Sequence, residues 1–255
     1  MKFNAVDNLL WAGAFLSTAA LMVVLLGRAR WRQFPVLTAY TVFATVRSLA
    51  LFLIYLHGST FWYRRVFWSA TLPDFALQLG IALEIARIVL RPTGSWVRDA
   101  RAQFAAAGIS GAVIAALVAW WVTPPAQTAL IAWQIRGNLF TSLVICELFV
   151  AMSFTANRLG LGWRNHVMAV GQGLTVWSGV TVVTTALQSF FGPARYYHGI
   201  DHFRIIAWIG AIGWVVVQLW IPEPERQPIA PELQDYILAL HRRVEYDLRR
   251  LDAGH

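Results

Sequence analysis

Six ionisable residues lie inside long apolar stretches of this 255-residue chain. A charge at the centre of a membrane span costs about 2.5 kcal/mol or more on insertion scales, so each of these residues invites a functional hypothesis. Three of them, Arg47, Asp74 and Arg136, share one depth, about 12 to 15 Å from the outer boundary of their predicted helices. Gln78 lies one helical turn after Asp74, on the same face. Together they predict a basic pocket for a small anionic or lipidic ligand.

The other three, Glu84, Arg87 and Glu147, form an inner level about 5 to 9 Å from the opposite boundary. Glu84 and Arg87 are spaced i, i+3 and can neutralise each other. Arg136 and Glu147 are eleven residues apart, and eleven steps of about 100° return to the same face of a helix, so both should face one neighbour. In a transporter, Glu84 or Glu147 would couple proton movement to transport.

A structural explanation of the outer level competes with the functional one. Asp74 would form a buried ion pair with Arg47 or Arg136. Alternatively, the third helix begins at Pro73, and Asp74 is a favourable anion in its first turn. Two arginines for one aspartate nevertheless leave a spare guanidinium, which needs an anion, a water molecule or a carbonyl as its partner.

A second group of residues predicts a weaker site on the outer side. His198 and His202 are spaced i, i+4, which allows two imidazoles to share a divalent metal if the segment is helical. Asp201 or His57 would complete the ligand set. Gly199 argues against a helix there, and histidines in contact with solvent or the membrane interface are the more ordinary interpretation.

The composition indicates which elements hold these residues. Apolar residues make up 58% of the chain, charged residues 13%, and the mean hydropathy is +0.54, whereas soluble proteins have about 25% charged residues. A bilayer core of roughly 30 Å needs about 20 apolar residues of helix. Seven segments meet this length and predict an all-α, polytopic membrane protein with a seven-helix bundle: Leu9–Leu26, Phe34–Leu56, Val66–Leu90, Ala102–Val122, Ala126–Met152, Val167–Phe191 and Ile205–Trp220.

The basic residues predict the orientation of this bundle. Of the 21 Lys and Arg residues, 13 fall on one side of the seven spans and 5 on the other. Cytoplasmic loops carry the excess of positive charge, so the N-terminus is predicted outside and the C-terminus inside. The expected location is the cell inner membrane, with the bilayer as the principal partner.

Three regions follow from this division: a transmembrane domain over 1–220, a proline-rich linker over 221–230, and a cytoplasmic helix and tail over 231–255. Apolar residues recur at three- and four-residue spacing through the last region, with arginines on the other face. This pattern predicts an amphipathic helix that lies on the inner leaflet or packs against a membrane protein partner.

Several function classes are excluded or disfavoured by missing residues. The single lysine, Lys2, lies in the N-terminal tail, so no retinal Schiff base can form in the bundle. Asp74 is the one embedded aspartate, whereas an intramembrane aspartyl protease needs two. Neither an H-E-x-x-H zinc motif nor a P-loop occurs. We expect a protein that is not an enzyme, uses no cofactor and does not bind nucleic acid.

Three functions stay open at this point. The plan of seven helices followed by a short inner helix resembles the membrane-embedded sensory halves of some bacterial signalling proteins, and a receptor or sensor is the leading hypothesis. A proton-coupled transporter of a small organic anion and a non-catalytic accessory subunit are the alternatives. A cavity that reaches both charge levels would favour transport, one that closes below Arg47 would favour sensing, and charges that point into lipid would favour a subunit.

Overall fold

The computed structural model describes residues 4–90, 98–122, 126, 128–158, 165–191 and 197–222. Within these residues the chain forms seven long helices, one short 3-10 helix at Arg30–Arg32 and no strand. The helices are α1 (Ala5–Gly27), α2 (Pro35–His57), α3 (Thr60–Leu90), α4 (Arg98–Trp121), α5 (Ala129–Arg158), α6 (Asn165–Phe191) and α7 (Tyr197–Trp220). The predicted all-α class is confirmed.

Six of the described helices are long and apolar enough to cross a membrane. The exception is α4, whose described apolar part, Gly108–Trp121, is shorter. The count of seven spans therefore stays a prediction. The chain divides into a helical unit that ends at Pro222 and a C-terminal unit from Glu223 to His255. The predicted amphipathic helix, and most of the predicted linker, lie in this second unit and outside the described residues.

Local sequence explains where the first helices begin. Asn4 caps α1: its side-chain oxygen accepts a hydrogen bond from Ala5 N at 2.8 Å, and its own backbone N–H donates to Asp7 Oδ2 at 3.0 Å. This reciprocal arrangement satisfies two amides that no helical carbonyl can reach. Proline at the first position of α2 loses no helical hydrogen bond, because the amide there would be free in any case.

The third helix differs from both sequence interpretations. It begins at Thr60, six residues before the predicted Val66, and continues through Pro73. The alternative in which a helix starts at Pro73 is therefore wrong, and Asp74 lies inside the helix. A proline within a membrane helix is tolerated because neighbouring groups can satisfy the backbone carbonyl that it leaves without a donor.

Six of the seven helices form a closed ring in the order α1, α2, α3, α5, α6, α7, and α7 packs against α1 to close it. Helix α4 packs against α5 from outside the ring. Neighbouring contacts show that helices alternate in direction: Trp11 stacks on Phe52 across α1 and α2, and Gly13 meets Ile209 across the parallel pair α1 and α7. We call the end where α1, α3, α5 and α7 begin the amino end, and the opposite end the carboxyl end.

The half of the ring near the carboxyl end is filled by apolar side chains. Its fully buried residues include Phe34, just before α2, together with Leu25, Ile85, Met152, Val167 and Leu219 of the other five ring helices. Gly173 of α6 allows α7 to approach closely, because a Cβ there would lie 2.6 Å from Val215 Cγ2. This half is a packed frame that fixes the positions of the six helices.

Candidate functional site

A cavity of about 310 Å³ lies in the amino-end half of the ring. Every ring helix contributes to its wall, whereas the described side chains of α4 do not. Polar and aromatic side chains line it together: Trp11, Tyr40, Arg47, Ser48, Asp74, Gln78, Gln134, Asn138, Trp177, Arg204 and Trp208. The cavity is thus the one place, among those that the structure describes, where six helices converge on a shared polar space.

An ion pair between α2 and α3 dominates the polar wall. Arg47 Nη1 lies 2.8 Å from Asp74 Oδ1, and Gln78 Nε2 donates to Asp74 Oδ2 at 2.9 Å. The Asp74 side chain is 12% exposed and that of Arg47 30%, so the guanidinium faces the cavity more than the carboxylate does. The structure therefore brings together three of the four residues predicted for the outer site.

Arg136 is the fourth, and the structure does not place it in this cavity. Its Nε donates to the Val122 carbonyl at 3.4 Å, and its guanidinium lies 5.5 Å from the centre of the Trp120 ring. Depth along a helix sets the level of a residue, but each step of sequence turns the side chain by about 100°. Because Gly137 packs on Phe75 of α3, Arg136 points instead toward α4.

Helical phase nevertheless predicted one relation correctly. Arg136 and Glu147 do face the same neighbour, which is α4: a Cβ on Gly111 of that helix would overlap the Glu147 carboxylate. The two charges thus lie on the outer side of α5, while Gln134 and Asn138 occupy its cavity side. These two amides make no side-chain hydrogen bond to other described residues, so they are available to a ligand.

Arg204 is a cavity residue that the sequence interpretation missed, because the seventh segment was predicted to begin at Ile205. Helix α7 begins at Tyr197, and Arg204 therefore lies two turns inside it. Its Nη2 lies 2.6 Å from Asp201 Oδ1. The i, i+3 spacing of Asp201 and Arg204 was the available signal for a helix there.

Aromatic rings form the apolar part of the wall. Trp208 makes edge contacts with Tyr40 and Trp177, at centroid distances of 6.3 and 4.9 Å. Trp11 stacks on Phe15 at 5.7 Å. Trp177 packs on Trp208 and also lines the cavity. A bound molecule would therefore meet aromatic faces and polar groups at once.

The cavity has a closed floor. Below Tyr40 and Trp208, toward the carboxyl end, apolar side chains leave a gap of only about 10 Å³ among the described residues. This plug consists of Leu21, Leu37, Leu174, Ala211, Ile212 and Val215 on α1, α2, α6 and α7, and it continues through the buried residues Ile81 of α3 and Ile145 of α5. Glu84 and Glu147, the predicted proton-coupling residues, do not line the cavity. Packed apolar residues thus separate the Arg47–Asp74 pair from Glu84.

Glu84 has a different partner from the one predicted. Its two carboxylate oxygens accept hydrogen bonds from Val36 N at 2.8 Å and Leu37 N at 3.0 Å, in the first turn of α2. The expected pair with Arg87 is therefore wrong, and Arg87 is exposed. The first amides of a helix have no carbonyl partner within the helix, and the N-terminus carries a positive potential. A buried carboxylate accepts hydrogen bonds from these amides and is stabilised by that potential. Glu84 is a cap supplied by another helix.

The four residues of the predicted metal site do not form a cluster. His202 Nε2 lies 2.7 Å from Asp7 Oδ1 of α1, Asp201 pairs with Arg204, and His57 is exposed at the end of α2. The described part of the chain contains no group of three or more His, Cys, Asp or Glu side chains that could hold a metal ion. The hydrogen bond to Asp7, 195 residues away, has no local signal in the sequence.

A second cavity, of about 240 Å³, adjoins the first toward the amino end. Both are lined by Trp11, Arg47 and Ser48, and the second extends to Asn8 and Tyr63 near the starts of α1 and α3. Arg47 therefore lies where the two cavities meet.

No protein-family model, curated protein or solved structure matches this chain. We therefore infer the function from the cavity and its charges.

Proposed function

We propose that the protein is a receptor or sensor in the cell inner membrane that binds a small anionic or lipidic ligand in the six-helix cavity. It spans the membrane seven times, with its N-terminus outside and its C-terminus inside. The observation that carries the proposal is the cavity itself: all ring helices line it, two arginines and one carboxylate charge it, and its floor is closed.

The lining defines the chemistry of the ligand. Arg47 and Arg204 each meet one carboxylate through a single nitrogen, and a guanidinium has five N–H donors, so both retain donors for an anion. The amides of Gln134 and Asn138 add further donors and acceptors. Trp11, with the other aromatic rings, suits an apolar body. The volume is at the lower end of the roughly 300 to 1,000 Å³ that small-molecule sites have, which favours a short amphiphilic carboxylate or phosphate.

The closed floor supports sensing rather than transport. A proton-coupled transporter would need its substrate site to communicate with a titrating carboxylate and with the opposite side of the membrane. Here the plug lies between the cavity and Glu84, and the Glu84 carboxylate is already used to cap α2. A ligand that enters from the amino end would instead change the packing of six helices around it, and this change would be the input for a signal.

Thermal unfolding of the purified protein tests this proposal. Short aliphatic and aromatic carboxylates, alkyl phosphates and uncharged amides of the same size are added in turn. An anion bound by the folded protein at a hundred times its Kd contributes about 2.7 kcal/mol of stability, whereas the amides should contribute much less. The double variant Arg47→Leu/Asp74→Asn should lose the response without leaving an unpaired charge.

Arg65→Leu is the matched control, because it removes another arginine of α3, one that is exposed and outside the cavity. It should keep the full response to anions. If no anion stabilises the wild-type protein, or if Arg65→Leu loses the response as well, the cavity is not the binding site. The orientation is tested separately with reporters fused to each terminus: a C-terminal reporter active on the outer side would contradict the proposed topology.

A further inference from the structure

We propose a second site on the outside of the ring: the groove between α4 and α5 binds one anionic phospholipid, with its phosphate on Arg136 and an acyl chain along the groove. This site is separate from the six-helix cavity and does not depend on the function proposed for it.

The groove has the shape and surface that an acyl chain requires. It measures about 300 Å³ and is lined by Ala116, Ala119, Trp120, Trp133, Arg136, Gly137 and Phe140. Small residues on both helices keep it open, and the rings of Trp120 and Trp133 meet edge to face at 6.1 Å beside it. Both tryptophans are more than half exposed. Because α4 packs on α5 from outside the ring, the groove faces the surrounding bilayer.

One charge distinguishes this groove from an ordinary lipid-facing surface. Among the described residues, the polar partner of Arg136 is the Val122 carbonyl, at 3.4 Å from Nε, and no carboxylate pairs with it. The other four N–H groups of the guanidinium therefore need acceptors. Water can supply them at an interface, but phosphate matches the planar fork of an arginine with two parallel hydrogen bonds.

The depth of Arg136 fits a phospholipid headgroup. The residue lies seven positions after Ala129, the start of α5, or about 10 Å along the helix. Its side chain reaches back to Val122, just beyond the end of α4, so the guanidinium lies closer to the membrane surface than its Cα does. Tryptophans typically lie at this level. The phosphate is thus expected at the guanidinium and the acyl chain beside Ala116 and Phe140.

Native mass spectrometry of the detergent-purified full chain tests the site. The protein is titrated with phosphatidylglycerol and with phosphatidylcholine of identical acyl chains, and the first binding event is compared. We expect a preference for phosphatidylglycerol that falls about fivefold in Arg136→Gln, the factor that one basic residue contributes near an anionic surface. Arg65→Gln is the matched control: Arg65 also stacks on an aromatic ring, Phe61, but is exposed and lies outside this groove.

A second variant tests the groove without changing charge. Ala116→Phe fills it and should weaken binding of both lipids, whereas Ile114→Phe, on the exposed part of the same helix, should not. Dihexanoyl phosphatidylglycerol and inorganic phosphate should compete poorly, because they lack the long acyl chain. The cavity variant Arg47→Leu/Asp74→Asn should keep the preference, which separates this site from the cavity.

Three results would overturn the proposal. The first is an unchanged lipid preference in Arg136→Gln. The second is effective competition by inorganic phosphate, which would indicate a free-anion site. The third is co-purification of a second membrane protein that Ala116→Phe releases, which would assign the groove to a protein partner.

Discussion

Embedded charges have different surroundings in the two halves of the ring. Near the amino end, the Arg47–Asp74 pair borders a cavity, and the arginine is partly exposed to it. Near the carboxyl end, Glu84 is buried among apolar residues, and both of its carboxylate oxygens accept hydrogen bonds from backbone amides in the first turn of α2. Both charges lie inside helices that are long and apolar enough to cross a membrane, so their cost in lipid would be similar. The difference teaches that an embedded charge indicates a binding site where its surroundings leave space, and a structural role where its hydrogen bonds are complete.

Breaking the ion pair should have the largest effect on stability. Arg47→Leu leaves the Asp74 carboxylate buried without its cation, which should lower the free energy of unfolding by about 3 kcal/mol. The double variant Arg47→Leu/Asp74→Asn should recover most of this loss. Unfolding in mixed micelles with increasing denaturing detergent measures the coupling. Arg136→Leu combined with Asp74→Asn should instead give additive effects, and strong coupling there would contradict the position of the Arg136 side chain, which points away from the cavity toward α4.

One added methyl group in the carboxyl-end half of the ring should lower the stability of the protein. Gly173→Ala places a Cβ 2.6 Å from Val215 Cγ2 and 3.2 Å from the Ala211 carbonyl oxygen, so α6 and α7 must separate. We expect a loss of about 2 kcal/mol in the same unfolding assay. Gly179→Ala is the control on the same helix, because its Cβ meets no atom within 4 Å. Equal stability of the two variants would show that the carboxyl-end half is less tightly packed than described.

Weakening the Glu84 cap should lower the free energy of unfolding by less, about 1 kcal/mol. Glu84→Gln keeps one acceptor oxygen for the first turn of α2, because the amide side chain retains its carbonyl. The response of the unfolding temperature to anions should be unchanged, since the plug separates Glu84 from the cavity. A lost anion response, or a loss of proton-dependent uptake in vesicles, would restore the transporter hypothesis for this residue.

Filling the cavity should change stability least of all. Ala14→Leu adds three carbons where Ala14 lines about 310 Å³ of open space, so the unfolding midpoint without ligand should stay within about 0.5 kcal/mol of the wild type. The anion response should be strongly reduced, because the side chain occupies ligand volume. A variant that keeps the full response would locate the anion elsewhere.

Sequence periodicity predicted seven helices, although α3 and α7 begin earlier than expected. Depth and helical phase predicted the Arg47–Asp74–Gln78 group and the shared face of Arg136 and Glu147. Neither periodicity nor depth could predict which helices are neighbours. Arg136 was assigned to the wrong partner because the position of α4 outside the ring has no counterpart in hydropathy. Polar residues of α6 contribute little to the cavity, since threonines such as Thr181 and Thr184 donate to carbonyls of their own helix.

Glu84 illustrates a second limit. A pair at i, i+3 is visible in the sequence, whereas the amides of Val36 and Leu37 are 48 and 47 residues away. Tertiary capping of this kind depends on how α2 and α3 align, and that alignment is set by the packing of many side chains. Spacing along the sequence predicts which nearby residues could be partners, whereas the packing of the helices determines which partner a residue has.

The closure of the ring by α1 and α7 bears on how the protein is made. The Arg47–Asp74 pair joins consecutive helices, so its charges can neutralise each other as soon as that hairpin has entered the membrane. The contacts between Asp7 and His202 and between Arg28 and Trp220 instead join the first and last helices. Chains emerge from the ribosome with the N-terminus first. The protein therefore acquires the Arg47–Asp74 pair early in synthesis, and its ability to enclose a ligand only when the last helix docks.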